Sequence, residues 1–231
     1  MSKTQGPLAI VGIGTLFPGQ ASVAGASAVA GYWRDILAGR DLIKDVPPHY
    51  WRTEDYYDPD PRAPDKVYGK RGAFLDKVDF DPLHYGIPPA LVPTTDTSQL
   101  LALMVAESVL LEAAKGPLGD DLALDHRRTC CVLGVAAGLE LLGEMANRLQ
   151  RPVWQKALAD HGIVGDEATR ICDSIAALYT DWKESTFPGL LGNVVTGRIA
   201  NRFDLGGTNC TTDAACASSF SALWAAANEL Y

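Results

Sequence analysis

The spacing of apolar side chains in the first half of the chain predicts one strand followed by two helices. Leu8–Val11 is a short apolar run that turns at glycine, which predicts a first strand. Residues 29–37 carry apolar side chains at helical spacing and stop at Gly39, which predicts a short amphipathic helix. Asp96 and Gln99 resemble a capping box, and the apolar stretch that follows them predicts a long, largely buried helix.

The second half of the chain continues the alternation of strands and helices. Residues 129–136 form a near-continuous apolar run, which is typical of a strand buried on both faces. Two further helices are predicted near 139–160 and 166–184. Because strands and helices alternate, the pattern favours an α/β layered fold.

The segment between 47 and 93 differs in composition from the rest of the chain. It contains nine of the fourteen prolines together with many aromatic side chains. Aromatic residues at this density are not typical of a disordered linker, so we predict an ordered, packed surface excursion. The aromatic residues are Trp51, Tyr56, Tyr57, Tyr68, Phe74, Phe80 and Tyr85.

Composition and charge narrow the class of protein. With 47% apolar residues the chain has enough material for a core. Its net charge of −8 is opposite to that of a typical nucleic-acid-binding protein, so no nucleic-acid partner is predicted. The five cysteines are odd in number and contain no Cys-x-x-Cys pair, which favours a cytoplasmic location over a disulfide scaffold. No run of about 18 uninterrupted apolar residues occurs, so no membrane span is predicted.

Sequence motifs for cofactors and metals are missing. Gly12 and Gly14 follow the predicted first strand, but the third glycine of a dinucleotide-binding fingerprint would fall at Phe17. The sequence has neither a Gly-Lys-Ser/Thr phosphate loop nor a His-Glu-x-x-His zinc motif. The four histidines stand alone, and we interpret each as a surface or loop residue. They are His49, His84, His126 and His161.

Cys216 is the candidate catalytic residue. It falls between a predicted short strand, Asn209–Thr212, and the first turn of a predicted buried helix. The positive end of a helix dipole stabilises a thiolate, and at such a turn the Cys216 backbone N–H can face a developing thioester oxyanion. Small neighbouring residues keep the sulfur accessible. The apolar face of the helix comprises Phe220, Leu223, Trp224, Ala227, Leu230 and Tyr231.

Position and spacing alone leave two interpretations of Cys216 open, a nucleophile and an inert structural cysteine. Cys172 and Cys210 lack a position at a strand-to-helix junction, and both are predicted to be small buried hydrophobic residues. A metal site formed by Cys210 and Cys216 would need further ligands that this segment does not provide.

The residues around Cys216 resemble the active-site motif of the condensing enzymes, or β-ketoacyl synthases, of modular polyketide and fatty-acid synthases. Residues 213–219 read Asp-Ala-Ala-Cys-Ala-Ser-Ser, where that family has Asp-Thr-Ala-Cys-Ser-Ser-Ser. Colinear matches run through nearly all of the chain, from residues 8–19 to 192–204. Residues 93–101 depart from the Met-Asp-Pro-Gln-Gln-Arg of many modular synthases and are similar to polyunsaturated fatty-acid synthases, with heterocyst-glycolipid-type synthases a close second.

The resemblance implies a thiolase-like layered fold and a decarboxylative condensation. In that reaction Cys216 takes an acyl chain from a carrier-protein thioester and passes it to a malonyl-derived carbanion. The resemblance also implies that residues 1–231 are the N-terminal part of a ketosynthase domain, ending within the helix after Cys216. In the family, two histidines and a glycine-rich oxyanion loop follow the cysteine, and this sequence has none of them. We therefore expect the part alone to be inactive, with an apolar helix face uncovered.

The resemblance also implies the partners. They are an acyl carrier protein whose phosphopantetheine carries the substrate, a second copy of the domain in a homodimer, and the other domains of a multidomain synthase. No cofactor bound directly by this chain and no metal are implied. One alternative is a thiolase or a stand-alone condensing enzyme. Another is a non-catalytic, chain-length-factor-like or scaffold protein that pairs with an active synthase, which the missing histidines keep open.

Overall fold

The structure is a computed structural model that describes residues 6–19, 26–115, 123–136 and 138–231. Contacts divide the chain into two compact units, and the division falls inside the longest helix. The larger unit comprises Met1–Ile10, Phe80–Glu107 and Asp121–Tyr231, and the smaller unit comprises Val11–Asp79 and Ser108–Asp120. The helices and strands, in chain order, are α1 (Ala26–Leu37), β1 (Lys44–Asp45), α2 (Thr53–Tyr56), β2 (Arg71–Gly72), α3 (Thr97–Lys115), β3 (Cys131–Gly134), α4 (Leu139–Arg148), α5 (Arg151–Asp160), α6 (Gly165–Ala176), α7 (Thr186–Leu190), α8 (Gly192–Arg202), β4 (Asn209–Thr212) and α9 (Ser218–Glu229).

Strands β3 and β4 of the larger unit form a parallel pair. In this register Cys131 lies opposite Asn209 and Gly134 lies opposite Thr212. Helices α8 and α9 both pack against the two strands. The strand predicted over 129–136 is thus confirmed, although its residues are half-buried or exposed rather than buried on both faces. Among the described residues β3 pairs with β4 and with no other strand. Fewer neighbours therefore cover β3 than would cover a central strand of a large sheet.

The core of the larger unit joins α3 and α8. Helix α8 is absent from the predicted elements, although Val195, Ile199 and Phe203 are spaced four apart, as one helix face requires. That face packs against apolar residues at the start of α3 and before it. The buried cluster consists of Tyr85, Ile87, Leu100, Leu103, Val195 and Ile199.

Helices are confirmed in both predicted segments, near 139–160 and near 166–184, but the structure has three helices there instead of two. The first is divided into α4 and α5 at residues 149–150, and Pro152 lies in the first turn of α5. Proline is tolerated in a first turn and breaks a helix interior, which explains the division. Helix α6 ends at Ala176, and its buried face includes the fully buried Cys172.

The N-terminus of α3 confirms half of the predicted capping box. Asp96 Oδ1 accepts a hydrogen bond from the Ser98 N–H at 3.0 Å, so Asp96 caps the helix. A capping box would also have the Asp96 N–H donate to the Gln99 side chain, and this part of the prediction is wrong. The Asp96 N–H instead donates to the Gly189 carbonyl at 2.9 Å. A backbone partner from another segment therefore replaces the local one.

Gln99 is 1% exposed and ties α3 to the segment around α7. Its amide oxygen accepts a hydrogen bond from Arg198 Nε at 2.7 Å, and burial lowers the pKa of Arg198. Its amide nitrogen donates to the backbone carbonyls of Pro188, Gly189 and Leu191, at 3.0, 2.7 and 3.3 Å. At Gly189 only glycine fits, because a Cβ would lie 1.8 Å from the Thr94 carbonyl oxygen.

By length and composition alone, α3 could cross a membrane, and it alone meets that test among the described residues. Leu103 of this helix is 1% exposed and belongs to the core cluster. Gln99 of the same helix makes the buried hydrogen bonds just described. Leu111 of α3 is 59% exposed, so the predicted long helix is confirmed but its predicted burial is only partial. Because one face of α3 packs in the core, we interpret it as a helix of a globular domain, which passes the same test.

Helix α1 of the smaller unit confirms the helix predicted over 29–37. It ends at Leu37, and Gly39 has a φ of +58°, the left-handed conformation that favours glycine after a helix. The strand predicted over Leu8–Val11 is wrong. These residues pair with no strand in the described part of the chain, and Ile10 is 84% exposed. An apolar run reports a tendency to be buried, whereas a strand also needs a hydrogen-bonded neighbour.

The predicted excursion over 47–93 contains short elements joined by aromatic contacts. Strand β2 pairs antiparallel with β1. The rings of Tyr50 and Phe74 lie 4.9 Å apart, and the Lys70 ammonium lies 5.3 Å from the centre of the Tyr57 ring. Tyr68, by contrast, is 70% exposed. The segment is thus packed, as predicted, although not every aromatic side chain is covered.

Candidate functional site

Cys216 lies in a single 3-10 turn, Ala215–Ala217, between β4 and α9. The predicted strand-to-helix junction is therefore confirmed, with the strand at Asn209–Thr212 as expected. The Cys216 side chain is exposed, in line with the expectation that small neighbours leave the sulfur accessible. Within the described ranges, no hydrogen bond involves the Cys216 N–H or its sulfur, so both groups are available to a ligand.

The turn around Cys216 is held by side chains on both sides. Asp213 Oδ1 accepts a hydrogen bond from the Ala215 N–H at 3.0 Å. Ser218 Oγ accepts one from the Ala214 N–H at 2.9 Å and donates one to the Ala215 carbonyl at 2.7 Å. Ala215 itself has a φ of +49°, which is uncommon for a residue with a Cβ. The residue that precedes Cys216 is thus held in a conformation that it would not adopt freely.

The start of α9 lies directly against β3. A Cβ at Gly134 would lie 2.5 Å from the Ser218 carbonyl carbon and 2.7 Å from the Ser219 nitrogen. Both neighbours are backbone atoms, so neither can move without moving the helix. Gly134 therefore permits the close approach that fixes the N-terminus of α9, and with it the turn that carries Cys216.

Helix α9 is confirmed, but the burial of its apolar face is wrong. Phe220 is 75%, Leu223 65% and Trp224 72% exposed. The face that packs against the strands instead carries small residues, with Ser218 and Ala222 buried. Small side chains allow the helix to approach the strands closely, as the contact at Gly134 requires. The apolar face is uncovered, as the resemblance led us to expect.

The other cysteines differ from Cys216 in their surroundings. Cys172 is fully buried, as predicted, whereas Cys210 is only half-buried. Burial, with smaller contributions from the neighbouring Cys210 and Cys130, raises the pKa of Cys131 to about 11. Cys131 is therefore protonated, and poorly nucleophilic, at neutral pH.

His84 and His126 have partners other than Cys216. His84 Nε2 lies 2.7 Å from Glu107 Oε1, and the Tyr85 hydroxyl donates to Glu107 Oε2 at 2.6 Å. His126 Nδ1 lies 2.7 Å from the Phe203 carbonyl oxygen. Burial is the largest single influence on the pKa of Glu107 and raises it, but the hydrogen bonds from Tyr85 and His84, together with the electrostatic effects of His84 and Arg202, outweigh burial, so the net pKa is lowered. In the described part of the chain no histidine bonds to Cys216.

Other predictions about ligands concern the glycines near the N-terminus and the metal-ligating side chains. A Cβ at Gly12 would lie 2.9 Å from the Val109 carbonyl oxygen and the Ala113 nitrogen, so this glycine serves helix packing. Over residues 6–19, 26–115, 123–136 and 138–231, no group of three or more His, Cys, Asp or Glu side chains could hold a metal ion.

Sequence reasoning missed one feature of the site and one feature of the core. One is Ser218, whose hydroxyl holds the turn before Cys216. The signal available was its position two residues after the cysteine, at the expected start of a helix, where serine is a favoured capping residue. The other is the partnership of Gln99 with Arg198, which are 99 residues apart and carry no local signal.

Comparisons with known proteins agree with this geometry. The chain matches the family model described as "Beta-ketoacyl synthase, N-terminal domain" over residues 5–231. It is 32% identical over 223 residues to one of the subunits of the polyunsaturated fatty acid synthase of Thraustochytrium sp., a match that covers 96% of this chain and 8% of that protein. It is 31% identical over 226 residues to "Polyketide synthase GfsB" of Streptomyces halstedii, covering 97% of this chain and 3% of that protein.

A solved structure shows the same fold. The oxazolomycin ketosynthase domain OzmH KS7 of Streptomyces albus JA3453 superposes with a TM-score of 0.66 at 25% identity, covering 96% of this chain and 31% of that one. This likeness confirms the predicted thiolase-like α/β layered fold. The chain therefore spans less than a third of that solved chain and less than a tenth of the two synthases above.

Proposed function

Since the chain belongs to the β-ketoacyl synthase family, as its sequence predicts, we propose that Cys216 accepts the acyl group in a condensing reaction. The observation that carries the proposal is the exposed Cys216 sulfur on a turn held by hydrogen bonds between β4 and α9. The sulfur and the N–H of the same residue are both without a hydrogen bond among the described residues, so neither is already committed to another partner.

The proposed first step is acyl transfer between two sulfur atoms. The Cys216 thiolate attacks the carbonyl carbon of an acyl thioester and forms a new C–S bond, while the Cys216 N–H donates to the oxyanion. The original C–S bond then breaks, and the leaving thiolate takes up the proton that the Cys216 thiol released on ionisation. One thioester replaces another, so the enzyme's contribution is to position the sulfur and the N–H together.

The proposed second step releases the acyl chain to a malonyl-derived carbanion. Loss of CO2 from a malonyl thioester supplies the carbanion, a C–C bond forms, and the Cys216 thiolate is set free. We propose that other residues of the domain supply the groups that assist decarboxylation. On this proposal the 231 residues alone accept an acyl group but do not complete the condensation.

The proposed setting is a multidomain synthase of polyunsaturated fatty acids or polyketides in the cytoplasm. The names of the relatives support this class of product. The proposed substrates are carried on the phosphopantetheine of an acyl carrier protein, and the proposed assembly is a homodimer. No directly bound cofactor is part of the proposal.

A second candidate function is a non-catalytic protein that pairs with an active synthase. One observation favours it, namely that no histidine bonds to Cys216 within the described residues. Acyl transfer to Cys216 separates the candidates, because a scaffold needs no acyl acceptor.

The test is acylation of the folded chain by hexanoyl-N-acetylcysteamine, followed by peptide mass spectrometry. We expect one hexanoyl group on Cys216, sensitive to hydroxylamine as a thioester is, and none after Cys216→Ala. Cys131 is the internal control, because it is half-buried and protonated near neutral pH. An adduct-free Cys216 in folded protein would exclude the acceptor role and favour the scaffold.

A further inference from the structure

One buried hydroxyl holds the backbone on both sides of Ala215. Ser218 Oγ accepts from the Ala214 N–H at 2.9 Å and donates to the Ala215 carbonyl at 2.7 Å. The Ser218 carbonyl in turn accepts from Thr212 Oγ1 at 3.2 Å, which connects it to the end of β4. Ser218 is 7% exposed, whereas residues 213–217 are all exposed. The hydroxyl thus anchors an exposed turn to the interior.

Ser218 bonds to the part of the turn whose backbone conformation is unfavourable. Ala215 has a φ of +49°, a conformation in which its Cβ crowds the backbone. Asp213 Oδ1 accepts from the Ala215 N–H at 3.0 Å, so a second side chain acts on the same residue. Because Cys216 follows directly, the torsion at Ala215 sets the direction in which the Cys216 N–H and side chain leave the turn.

We propose that Ser218 is a positioning residue for acyl transfer to Cys216, an inference that rests on the proposed function. Ser218 bonds to backbone groups of Ala214 and Ala215 and not to the sulfur. It keeps Ala215 left-handed, so that the Cys216 sulfur and N–H face the same thioester carbonyl. In the step concerned the new C–S bond forms at Cys216, the thioester C–S bond breaks, and the leaving thiol takes the proton.

Two reagents separate positioning from folding. Acylation by hexanoyl-N-acetylcysteamine needs the sulfur and the N–H together, since the carbonyl oxygen becomes an oxyanion. Alkylation by iodoacetamide displaces iodide in one step and needs only the sulfur. The ratio of the two rate constants at Cys216 therefore reports the geometry of the turn, whereas a general loss of structure changes both reactions.

The variants are Ser218→Ala and, as a matched control, Ser219→Ala, the exposed serine next to it in the same helix. We expect Ser218→Ala to lower the acylation rate by about tenfold to 100-fold, with the alkylation rate within about twofold of wild type. The control keeps both rates within about twofold. Ser218→Thr retains the hydroxyl, and we expect it to restore most of the acylation rate.

Asp213 supplies a second test that does not disturb a buried residue. Its side chain is exposed, so Asp213→Ala removes one of the hydrogen bonds that fix Ala215 and has little effect on the core. We expect the same selective loss of acylation, and Asp213→Asn, which keeps the acceptor, retains the rate. If Ser218→Ala does not fold by circular dichroism, this pair tests the premise of the proposal, that the conformation of Ala215 controls acylation, and unchanged acylation in folded Asp213→Ala overturns it.

Each result decides for or against the positioning role. Unchanged acylation in Ser218→Ala, or an equal loss of acylation and alkylation in the folded variants, overturns it. If wild-type protein is alkylated at Cys216 but takes no hexanoyl group, the proposed function itself fails and the positioning role fails with it. Selective loss of acylation together with rescue by Ser218→Thr establishes both.

Discussion

Gly134→Ala tests whether the contact between β3 and α9 sets the geometry around Cys216, the proposed nucleophile. The new Cβ would lie 2.5 Å from the Ser218 carbonyl carbon, 2.6 Å from its oxygen and 2.7 Å from the Ser219 nitrogen, where ordinary contacts begin at 3.4 Å. The strand or the helix must therefore shift by about 1 Å. Forced overpacking of this kind costs about 1–3 kcal/mol of stability, and a misplacement of about 1 Å costs about 100-fold in rate.

The assay measures both quantities on the same protein. Urea denaturation gives the free energy of unfolding, and the rate of hexanoyl transfer to Cys216 gives the geometry. Gly143→Ala in α4 is the matched control, because its Cβ would have no neighbour within 4 Å. There alanine replaces glycine in a helix interior, so we expect a gain of about 1 kcal/mol and an unchanged transfer rate. A Gly134→Ala protein with wild-type stability and wild-type transfer would refute the reasoning.

Three further predictions concern stability and reactivity. Gln99→Leu removes the side-chain acceptor of Arg198 Nε and one of the hydrogen bonds of three backbone carbonyls, which keep their backbone donors. Urea denaturation should therefore show a loss of about 2–4 kcal/mol, against about 0.5 kcal/mol for exposed Gln150→Leu. Because the folded pKa of Glu107 lies below its ordinary value, the stability it contributes is present at neutral pH and is lost as the pH falls through that pKa. The difference in melting temperature between wild type and Glu107→Gln should therefore shrink steadily as the pH falls below about 4.3, the ordinary pKa of a glutamate, and a difference that is the same at about pH 3 as at about pH 7 would contradict this. Iodoacetamide at about pH 8 should label Cys216 and spare Cys131, whose pKa is raised to about 11; equal labelling in peptide maps would count against it.

Periodic and local signals account for most of what the sequence predicted correctly. Helix α1 ends where Gly39 indicates, and Cys216 lies at the predicted junction because the apolar spacing after it requires a helix. The strand over Leu8–Val11 failed since apolar content carries no information about a hydrogen-bonded neighbour. Likewise, the spacing of Phe220 and Trp224 identified a helix face without saying whether anything covers it.

Contacts between segments far apart in the chain were not predicted from the sequence. Gln99 has the right position for a capping box, yet its amide bonds to carbonyls about 90 residues away. Gly134 is one residue in an apolar run, and its role becomes visible only when Ser218 is placed against it. Both depend on the distance between segments far apart in the chain, which no local pattern encodes.

The parallel pairing of β3 with β4 also bears on the order in which the chain folds. Cys131 and Asn209 lie opposite each other although they are 78 positions apart in the chain (209 − 131), and closing a loop of that length costs roughly 4 kcal/mol of chain entropy. Such non-local pairings form late in folding. Because the start of α9 packs against Gly134 of β3, the turn that carries Cys216 reaches its final place in the fold only when the two strands have met.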